Sequence, residues 1–328
     1  MNDYNKINAQ SVLLRRTLDL VVAGSRPTAR GPRLGWVLAN DQGVVAEGSS
    51  TTALSEPQPV VLNQSSLYLS TNPFSSEQEL TTFCATLRVD NFYLADASDS
   101  SVQSEALYVN RRFLTGQQQK RPYLLLKWAE TADGFMAPSS SAPYWISNAH
   151  ARRLVHQWRS QEAAIWVGKT TYLHDNPRLN VRFWRGPDPL RIVVDPSLQL
   201  PEELHIFDQS QPTLYYNNQR EEVSPNLEFA LVPGDYLSWP DRVRFVLNDL
   251  YARGIESVLV EGGATLLNFL LDQGWWDEAR VFRAPTIFKE GLPAPRISDR
   301  YYSGQQRVSD NSLTTYRKKL ETKQEVKE

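Results

Sequence analysis

Two adjacent glycines separate an apolar run from a predicted helix in the stretch Val258-Leu-Val-Glu-Gly-Gly-Ala-Thr-Leu-Leu267. Because Gly262 and Gly263 carry no Cβ, backbone N–H groups here can approach a phosphate at the helix N-terminus, where the helix dipole favours an anion. A tight strand-to-helix turn would use the same glycines, and the sequence contains neither G-x-G-x-x-G nor G-x-x-x-x-G-K-[ST]. The stretch therefore predicts a phosphate-binding turn, with a purely structural turn as the alternative.

Three cations elsewhere could act on a ligand. Lys127 is predicted at a strand end before an Asp-Gly turn, where a solvated edge lysine is the alternative. Arg159 lies near the end of a predicted helix, where the dipole alone favours a cation. Arg182 closes the loop 170–182, which also holds two threonines, an aspartate and a second arginine. A guanidinium suits bidentate phosphate recognition, although loop arginines are often only solvated.

The segments around these residues alternate between strand and helix. Predicted strands cover 123–127, 164–167, 191–194 and 257–261, and predicted helices cover about 148–161 and 240–253. Such alternation indicates an α/β domain with a largely parallel sheet, whose ligands bind at the carboxyl ends of the strands. The segment from Tyr301 to Lys319 predicts an antiparallel pair that closes the sheet, and the residues after it are expected to fray.

Length and charge limit the classes of function. The 328 residues predict two domains, and the formal net charge of −2 offers no general attraction for nucleic acid or an anionic membrane. No apolar stretch approaches the ~18 residues of a membrane span, and no leader is recognisable, so we expect a cytoplasmic protein. Cys84 is the only cysteine, which excludes an intrachain disulfide and a cysteine-rich metal cluster.

The domain boundary is predicted between Asp96 and Arg121, where the composition turns polar. The QQQKRP stretch is typical of a linker that feeds a strand. We therefore expect domains over residues 1–115 and 121–319.

Six motifs after this boundary, in this order, closely resemble the reductase domain of the bifunctional riboflavin-biosynthesis deaminase–reductase family. They are RPYLLLKWAETADG, YWIS, ARRLVHQWR, VGKTTYLHDNPRLNVR, PLRIVVD and VLVEGGATLLNFLLDQGWWDE. The resemblance implies a dihydrofolate-reductase-like fold, an NADPH cofactor and the substrate 5-amino-6-(5-phosphoribosylamino)uracil. Its ribosyl group would be reduced to a ribityl group by hydride delivery to the anomeric carbon.

The resemblance also implies a role for each residue in the matching motifs. Contacts with NADPH are implied for Ala129, Trp145, Thr171, Asp175, Gly263, Ala264, Thr265, Leu266 and Leu267. Contacts with the substrate are implied for Arg159, Leu179, Arg182 and Glu261, with both arginines serving its 5′-phosphate. Lys127 would polarise the ribose, and Lys127 and Asp175 are the expected catalytic residues, with His174 as an alternative proton carrier. Pro143 and Pro196 depart from the family, the first at a substrate position and the second at a cofactor position.

The N-terminal half resembles the companion deaminase domain in outline, through LRRTLDLVVAGS, LGWVLANDQGVVAEGS and SLYLSTNPF. Such deaminases bind zinc through one His and two Cys, with a neighbouring Glu as general acid and base. Here Asn72-Pro73-Phe74 stands in place of the expected Glu-Pro-Cys, and the first 149 residues contain only Cys84 and no histidine. A zinc site needs three protein ligands. The resemblance therefore implies a degenerate deaminase-like domain without zinc, retained as scaffold or dimer support, and a separate protein that performs the deamination.

Two other functions remain open at this point. Another dihydrofolate-reductase-like NADPH enzyme, acting on a pterin or pyrimidine, would keep the glycine turn but would not need both Arg159 and Arg182. A non-catalytic assembly partner would be favoured had the reductase half also lost its glycines, lysine and arginines. We expect a small-molecule partner and a homodimer.

Overall fold

A computed structural model describes residues 11–20, 34–40, 43–49, 66–70, 91–94, 103–139, 144–234 and 238–319. The chain divides into two compact units, Met1–Gln118 and Gln119–Glu328. The Asn72-Pro73-Phe74 stretch, Cys84 and Pro143 lie outside the described residues.

The N-terminal unit combines helices with a small sheet. Its described elements are α1 (residues 11–20), β1 (Trp36–Asn40), β2 (Gly43–Gly48), β3 (Ser66–Leu69), β4 (Asn91–Leu94), α2 (Gln103–Val109) and α3 (Arg111–Gln119). The strand order is β2-β1-β3-β4, with β1 antiparallel to both neighbours and β3 parallel to β4. Successive residues of β1 point to opposite faces of the sheet, so Trp36 and Leu38 pack in one cluster and Val37 and Ala39 in another. The described parts of the three deaminase-like motifs form α1, the β1–β2 hairpin and β3.

One expectation at the boundary is wrong. The glutamines of QQQKRP are the last turn of α3, which continues to Gln119, and not a linker. The amphipathic helix that precedes them buries Thr115 and Gly116, and this packing sustains helix into residues whose composition alone suggests a loop.

The C-terminal unit contains a ten-stranded sheet among its described residues. Its strands and helices are β5 (Tyr123–Glu130), β6 (Phe135–Pro138), α4 (Ala149–Gln161), β7 (Ala164–Trp166), α5 (Lys169–Asp175), β8 (Leu190–Val194), β9 (Thr213–Asn217), β10 (Glu222–Ser224), β11 (Leu227–Leu231), α6 (Trp239–Ala252), β12 (Ser257–Val260), α7 (Ala264–Asp272), β13 (Glu278–Arg283), β14 (Gly291–Pro293), β15 (Tyr302–Val308) and β16 (Asn311–Arg317). Two short 3₁₀ turns, His205–Phe207 and Asp299–Tyr301, also occur.

The sheet is parallel at its centre and antiparallel at both edges. Its order is β10-β11-β9-β8-β7-β12-β5-β13-β16-β15. All pairs from β11 to β13 are parallel, whereas β10 with β11, β13 with β16 and β15 with β16 are antiparallel. The α/β fold class and the antiparallel pair at the C-terminal end are confirmed.

Helices cover both faces of this sheet. Leu124 and Leu126 of β5 pack in the cluster that contains the buried residues of α6 and α7. Leu125 lies on the opposite face, in the cluster that contains Val155 and Trp158 of α4. Because side chains alternate along a strand, every second residue from Leu125 onward faces the side of α4. The strand also extends beyond the sequence prediction to Glu130, so Lys127 lies within the strand and not at its end.

The ends of two helices follow from their capping residues. The side chain of Asn148 accepts a hydrogen bond from the Ala151 N–H at 2.8 Å and begins α4, in agreement with the helix predicted over about 148–161. Ser238 caps α6, which has Pro240 in its first turn. None of the described helices is both long and apolar enough to cross a membrane.

Candidate active site

A cavity of about 390 Å³ lies beside β5 on the face covered by α4. Its described lining residues are Lys127, Trp145, Ser147, Arg152, Val155, His156, Arg159, Arg182, Phe183 and Glu261. This volume is within the range of small-molecule sites. We call Lys127, Arg159 and Glu261 the floor of the cavity, and Trp145, Arg182 and Phe183 its rim. Five of these six residues were predicted from the sequence as ligand contacts, and the structure brings all five to one cavity.

Lys127 and Glu261 meet because their strands are neighbours. Leu126 of β5 is paired with Val260 of β12, so the next residues on the two strands are Lys127 and Glu261. Burial lowers the pKa of the Lys127 ammonium, the charge of Arg159 adds to this effect, and Glu261 opposes it. Lys127 therefore releases its proton more readily than an exposed lysine does.

Arg159 and Glu261 form an ion pair with little solvent exposure. The side chains are 11% and 8% exposed, and the guanidinium binds both carboxylate oxygens, at 2.6 Å from Nε to Oε1 and 2.9 Å from Nη2 to Oε2. Burial opposes ionisation of Glu261, but the Arg159 guanidinium outweighs it and lowers the pKa of the carboxyl group. Nη1 of Arg159 also donates to the Asn180 carbonyl at 3.0 Å. Much of the donor capacity of Arg159 is thus used within the protein, which leaves less for a phosphate.

Arg182 has a different environment. It is exposed, and its guanidinium lies 5.7 Å from the centre of the Phe183 ring. It forms no ion pair with any residue in the described part of the chain. Its planar donor fork is therefore available to an anionic group in the cavity.

The predicted phosphate-binding turn follows Glu261 directly. Gly263 is the N-cap of α7, and no described side chain hydrogen-bonds to this helix end. Gly262 has φ +117°, a backbone conformation that favours glycine, and its carbonyl accepts from the Gly168 N–H at 2.8 Å. A Cβ built on Gly263 would lie 3.3 Å from Thr171 Oγ1. The structure thus brings together Thr171 and the glycine turn, two predicted cofactor contacts that are far apart in the sequence.

The other predicted cofactor residues differ in what they can offer. Ala264, Leu266 and Leu267 bury their side chains in the unit, so only their backbone groups remain for a ligand, whereas Thr265 is exposed. Ala129 lies on the same face of β5 as Lys127, two residues further along. Trp145 is 72% exposed at the cavity rim.

The predicted cofactor residues Ala129, Thr171 and 263–267 lie outside the described cavity lining, and so do three further residues that the sequence singles out. Asp175, an expected catalytic residue, is exposed at the C-terminal end of α5, next to His174. Leu179 is buried in the apolar core and has φ +58°. Pro196 follows β8. Asp175 is therefore not paired with Lys127, and the side chain of Leu179 packs in the protein interior.

Arg152 and His156 line the cavity but were missed in the sequence. Nη1 of Arg152 donates to the Ser147 carbonyl at 2.9 Å, and its guanidinium lies 5.5 Å from the centre of the Trp145 ring. Arg152, His156 and Arg159 are spaced four and three residues apart, which places all three on one face of a helix. That spacing is a signal in the sequence, but the apolar residues between them, Leu154, Val155 and Trp158, indicate only a helix that packs on a core.

The family model and the curated relatives that match this chain all belong to riboflavin biosynthesis. The model of the RibD C-terminal domain matches residues 122–319. A riboflavin biosynthesis protein RibD of Aquifex aeolicus is 33% identical over 192 residues, which cover 58% of this chain and 54% of that protein. A 2,5-diamino-6-ribosylamino-4(3H)-pyrimidinone 5′-phosphate reductase of Archaeoglobus fulgidus is 30% identical over 191 residues, which cover 55% of this chain and 87% of that protein. The chain spans about half the length of the first RibD relatives that it matches.

A solved structure shares the fold over most of the chain. The crystal structure of a diaminohydroxyphosphoribosylaminopyrimidine deaminase/5-amino-6-(5-phosphoribosylamino)uracil reductase from Thermotoga maritima superposes with a TM-score of 0.75 at 23% identity. The superposition covers 94% of this chain and 98% of that one. The similarity extends from the matched C-terminal region into the N-terminal unit.

Proposed function

This chain belongs to the RibD C-terminal domain family, and we propose that it is an NADPH-dependent reductase that acts on 5-amino-6-(5-phosphoribosylamino)uracil in riboflavin biosynthesis. The observation that carries the proposal is the composition of one cavity. It combines a half-buried lysine, a paired carboxylate and an exposed arginine beside a glycine turn. A phosphorylated sugar that is reduced at one carbon needs a group that polarises that carbon and a group that binds the phosphate.

The residues around the glycine turn fit a dinucleotide cofactor. The N-terminus of α7 presents backbone N–H groups that no described side chain caps, and its dipole favours a phosphate. The absence of a Cβ at Gly263 leaves room next to the Thr171 hydroxyl. We propose that Thr171 and residues 263–267 hold the cofactor phosphates, that Ala129 and Trp145 contact other parts of NADPH, and that Asp175 keeps only a cofactor-side role. Bound NADPH would supply the hydride.

Lys127 is the proposed catalytic residue. Its ammonium lies at the cavity floor, where burial has weakened its hold on the proton. Donation of a hydrogen bond or a proton to the ribose oxygen makes the anomeric carbon a better hydride acceptor. The Glu261 carboxylate, held in place by Arg159, accepts hydrogen bonds from the substrate and keeps Lys127 oriented.

Arg182 is the proposed principal phosphate ligand. The sequence resemblance implies that both arginines bind the 5′-phosphate, but the guanidinium of Arg159 already binds the Glu261 carboxylate. Arg182 has no such partner among the described residues, so we assign the larger share of phosphate binding to it. The substrate would then lie with its phosphate at the rim and its anomeric carbon over the floor.

NADPH oxidation with purified protein tests the proposal. The deaminated phosphoribosylaminouracil should be turned over, and its product should carry a ribityl side chain. The diaminopyrimidinone form is the necessary comparison, because the Archaeoglobus relative is named for that compound. Preference for the diamino form would change the substrate assignment, and no reduction of either compound would refute the proposed function.

For the N-terminal unit we propose a supporting role, in a homodimer that relies on a separate deaminase. The proposal rests on residue types, since the first 149 residues hold one cysteine and no histidine. Elemental analysis should find no stoichiometric zinc, and the protein should not deaminate the diaminopyrimidinone. About one equivalent of zinc, removed together with a deaminase rate, would overturn this proposal.

A further inference from the structure

We infer that His156 is a positioning residue, which fixes the backbone of residues 180–183 so that the Arg182 side chain is presented to the cavity. The inference rests on the proposed function only in naming the anion that Arg182 binds as a phosphate ester. The sequence resemblance assigns no role to this histidine.

The contact between His156 and Arg182 is direct. His156 lies on α4 with 4% of its surface exposed, and its Nδ1 accepts a hydrogen bond from the Arg182 backbone N–H at 3.0 Å. The ring also meets Phe183 edge to face, with the ring centres 4.8 Å apart and the planes at 79°. Arg182 and Phe183, two consecutive residues of the rim, therefore both contact the buried imidazole of His156.

The two residues before Arg182 are held as well. The Asn180 carbonyl accepts from Nη1 of Arg159 at 3.0 Å, and the Val181 N–H donates to Oδ1 of Asp188 at 2.6 Å. The backbone of residues 180–182 is thus hydrogen-bonded at three successive points, while the Arg182 side chain stays exposed. These hydrogen bonds fix the backbone of Arg182 but do not use the N–H donors of its guanidinium. Such preorganisation lowers the entropic cost of binding a ligand.

The imidazole must be unprotonated to play this part. Burial, together with the charges of Arg159 and Arg182, lowers the pKa of His156 to about 4. At neutral pH Nδ1 therefore keeps the lone pair that accepts from Arg182. A histidine with so low a pKa is not an imidazolium at neutral pH, and the single N–H of the neutral ring is too weakly acidic for a general acid.

Loss of this hydrogen bond should affect one substrate group and leave the rest of the site intact. Without its anchor the Arg182 backbone samples other positions, and the guanidinium spends less time facing the phosphate. Binding of the phosphate should weaken, whereas the turn at Gly263, Lys127 and Glu261 lie on other elements than α4. The effect should therefore appear in KM for the phosphorylated substrate, with kcat and NADPH affinity nearly unchanged.

Two variants at one position and one control on the same helix test the inference. His156→Leu removes the acceptor, and His156→Asn keeps a carbonyl oxygen close to the place of Nδ1. His150→Leu removes an exposed histidine from the first turn of α4. We expect His156→Leu to raise KM for the phosphorylated substrate roughly three- to tenfold, the range of one displaced hydrogen bond. His156→Asn should recover much of this loss, and His150→Leu should match the wild type.

The dephosphorylated substrate separates positioning from general damage. On that compound the wild type and His156→Leu should have the same KM, because the phosphate contact is absent from both. Equal losses on both substrates, or a fall in NADPH affinity, would show that His156 only supports the fold and would overturn the inference. An unchanged KM on the phosphorylated substrate would overturn it as well.

Amide hydrogen exchange gives a readout that does not depend on the reaction. The Arg182 amide should exchange faster in His156→Leu than in the wild type and should be protected again in His156→Asn. Isothermal titration with ribose 5-phosphate should show weaker binding to the Leu variant only. A wild type that reduces neither pyrimidine would refute the proposed function, while exchange and titration would still decide the inference. Unaltered Arg182 exchange in the Leu variant would refute the inference alone.

Discussion

The floor and the rim of the cavity present the same residue type in opposite physical settings. Arg159 at the floor is buried and bound to Glu261 through both carboxylate oxygens, whereas Arg182 at the rim is exposed and has no described ion-pair partner. Removing one member of a buried pair leaves an uncompensated charge, whereas removing an exposed cation costs little stability. The sequence resemblance assigns the same role to both arginines. Substitution of Arg159 should nevertheless lower mainly the stability of the protein, whereas substitution of Arg182 should weaken mainly the binding of the phosphate.

The largest expected effect is at Lys127 of the floor. Lys127→Met should lower kcat by about a hundred- to ten-thousandfold, because positioned acid catalysis contributes about that much. NADPH affinity should remain close to that of the wild type. The wild-type rate should also fall at alkaline pH, starting below the range of an ordinary lysine, since the active ammonium is lost as pH rises through its lowered pKa.

Steady-state kinetics across pH check this prediction. Lys289→Met, which removes an exposed lysine, is the matched control and should keep full activity. Retention of more than a tenth of the wild-type kcat in Lys127→Met would remove Lys127 from the chemistry.

Arg159→Met should reduce the free energy of unfolding more than any change at the rim. Breaking a buried ion pair costs about 3–5 kcal/mol, since Glu261 would keep its charge without its main partner. Denaturant unfolding measures this difference. Arg153→Met removes an exposed arginine from the same helix and should change stability by less than about 0.5 kcal/mol. Equal stabilities of the two variants would mean that the floor pair contributes nothing to the fold.

Arg182→Ala should leave stability nearly unchanged and raise KM for the phosphorylated substrate. Loss of a charge-assisted hydrogen bond costs about 1.5–3 kcal/mol, or roughly ten- to a hundredfold in affinity. Arg182→Lys should recover only part of this, because the ammonium lacks the planar fork. This prediction is tested by the Michaelis constants for the phosphorylated and the dephosphorylated substrate.

The control for this prediction is Arg185→Ala, which removes another exposed arginine from the same segment and should have little effect. On the dephosphorylated substrate, Arg182→Ala and the wild type should perform equally poorly. A loss of NADPH affinity in Arg182→Ala would place this residue on the cofactor side and contradict the division between floor and rim.

Gly263→Val should have the smallest of these effects and should act on the cofactor alone. The Cβ would lie 3.3 Å from Thr171 Oγ1, so the branched side chain would occupy the space beside the helix N-terminus that we assign to a cofactor phosphate. We expect roughly tenfold weaker NADPH binding by calorimetric titration, with KM for the substrate little changed. Gly304→Val, where a Cβ would meet no atom within 4 Å, is the matched control. Unchanged NADPH affinity in folded Gly263→Val would leave the glycines as turn residues only.

The sequence predicted several elements of the C-terminal unit because their signals are local, but it gave no sign of β9, β10, β11 and β13, and its loop over 170–182 begins as the helix α5. Asn148 and Pro240 mark helix starts, and apolar runs such as Ser257–Val260 mark buried strands. The pairing of Arg159 with Glu261 was not predictable in this way, since the two residues are 102 positions apart and meet only through the sheet.

The same limit explains the misplaced residues. Leu179 belongs to a matching motif, yet its side chain packs in the core, because a motif records position and not side-chain direction. His156 was passed over because a lone histidine on a helix gives no sign of its partner, which is a backbone N–H 26 residues away. Motifs indicate candidate residues for the site, and burial and pairing distinguish the roles that we propose for them.

The most direct test of the account is the fate of the hydride. NADPH that carries deuterium at the nicotinamide C4 should be incubated with the protein and 5-amino-6-(5-phosphoribosylamino)uracil, and the product should be examined by mass spectrometry and NMR. The account predicts one deuterium at C1′ of a ribityl product, and much less of this product from the dephosphorylated compound at the same low concentration. Deuterium elsewhere, or equal turnover of both compounds, would contradict a site whose floor reduces the sugar and whose rim selects the phosphate.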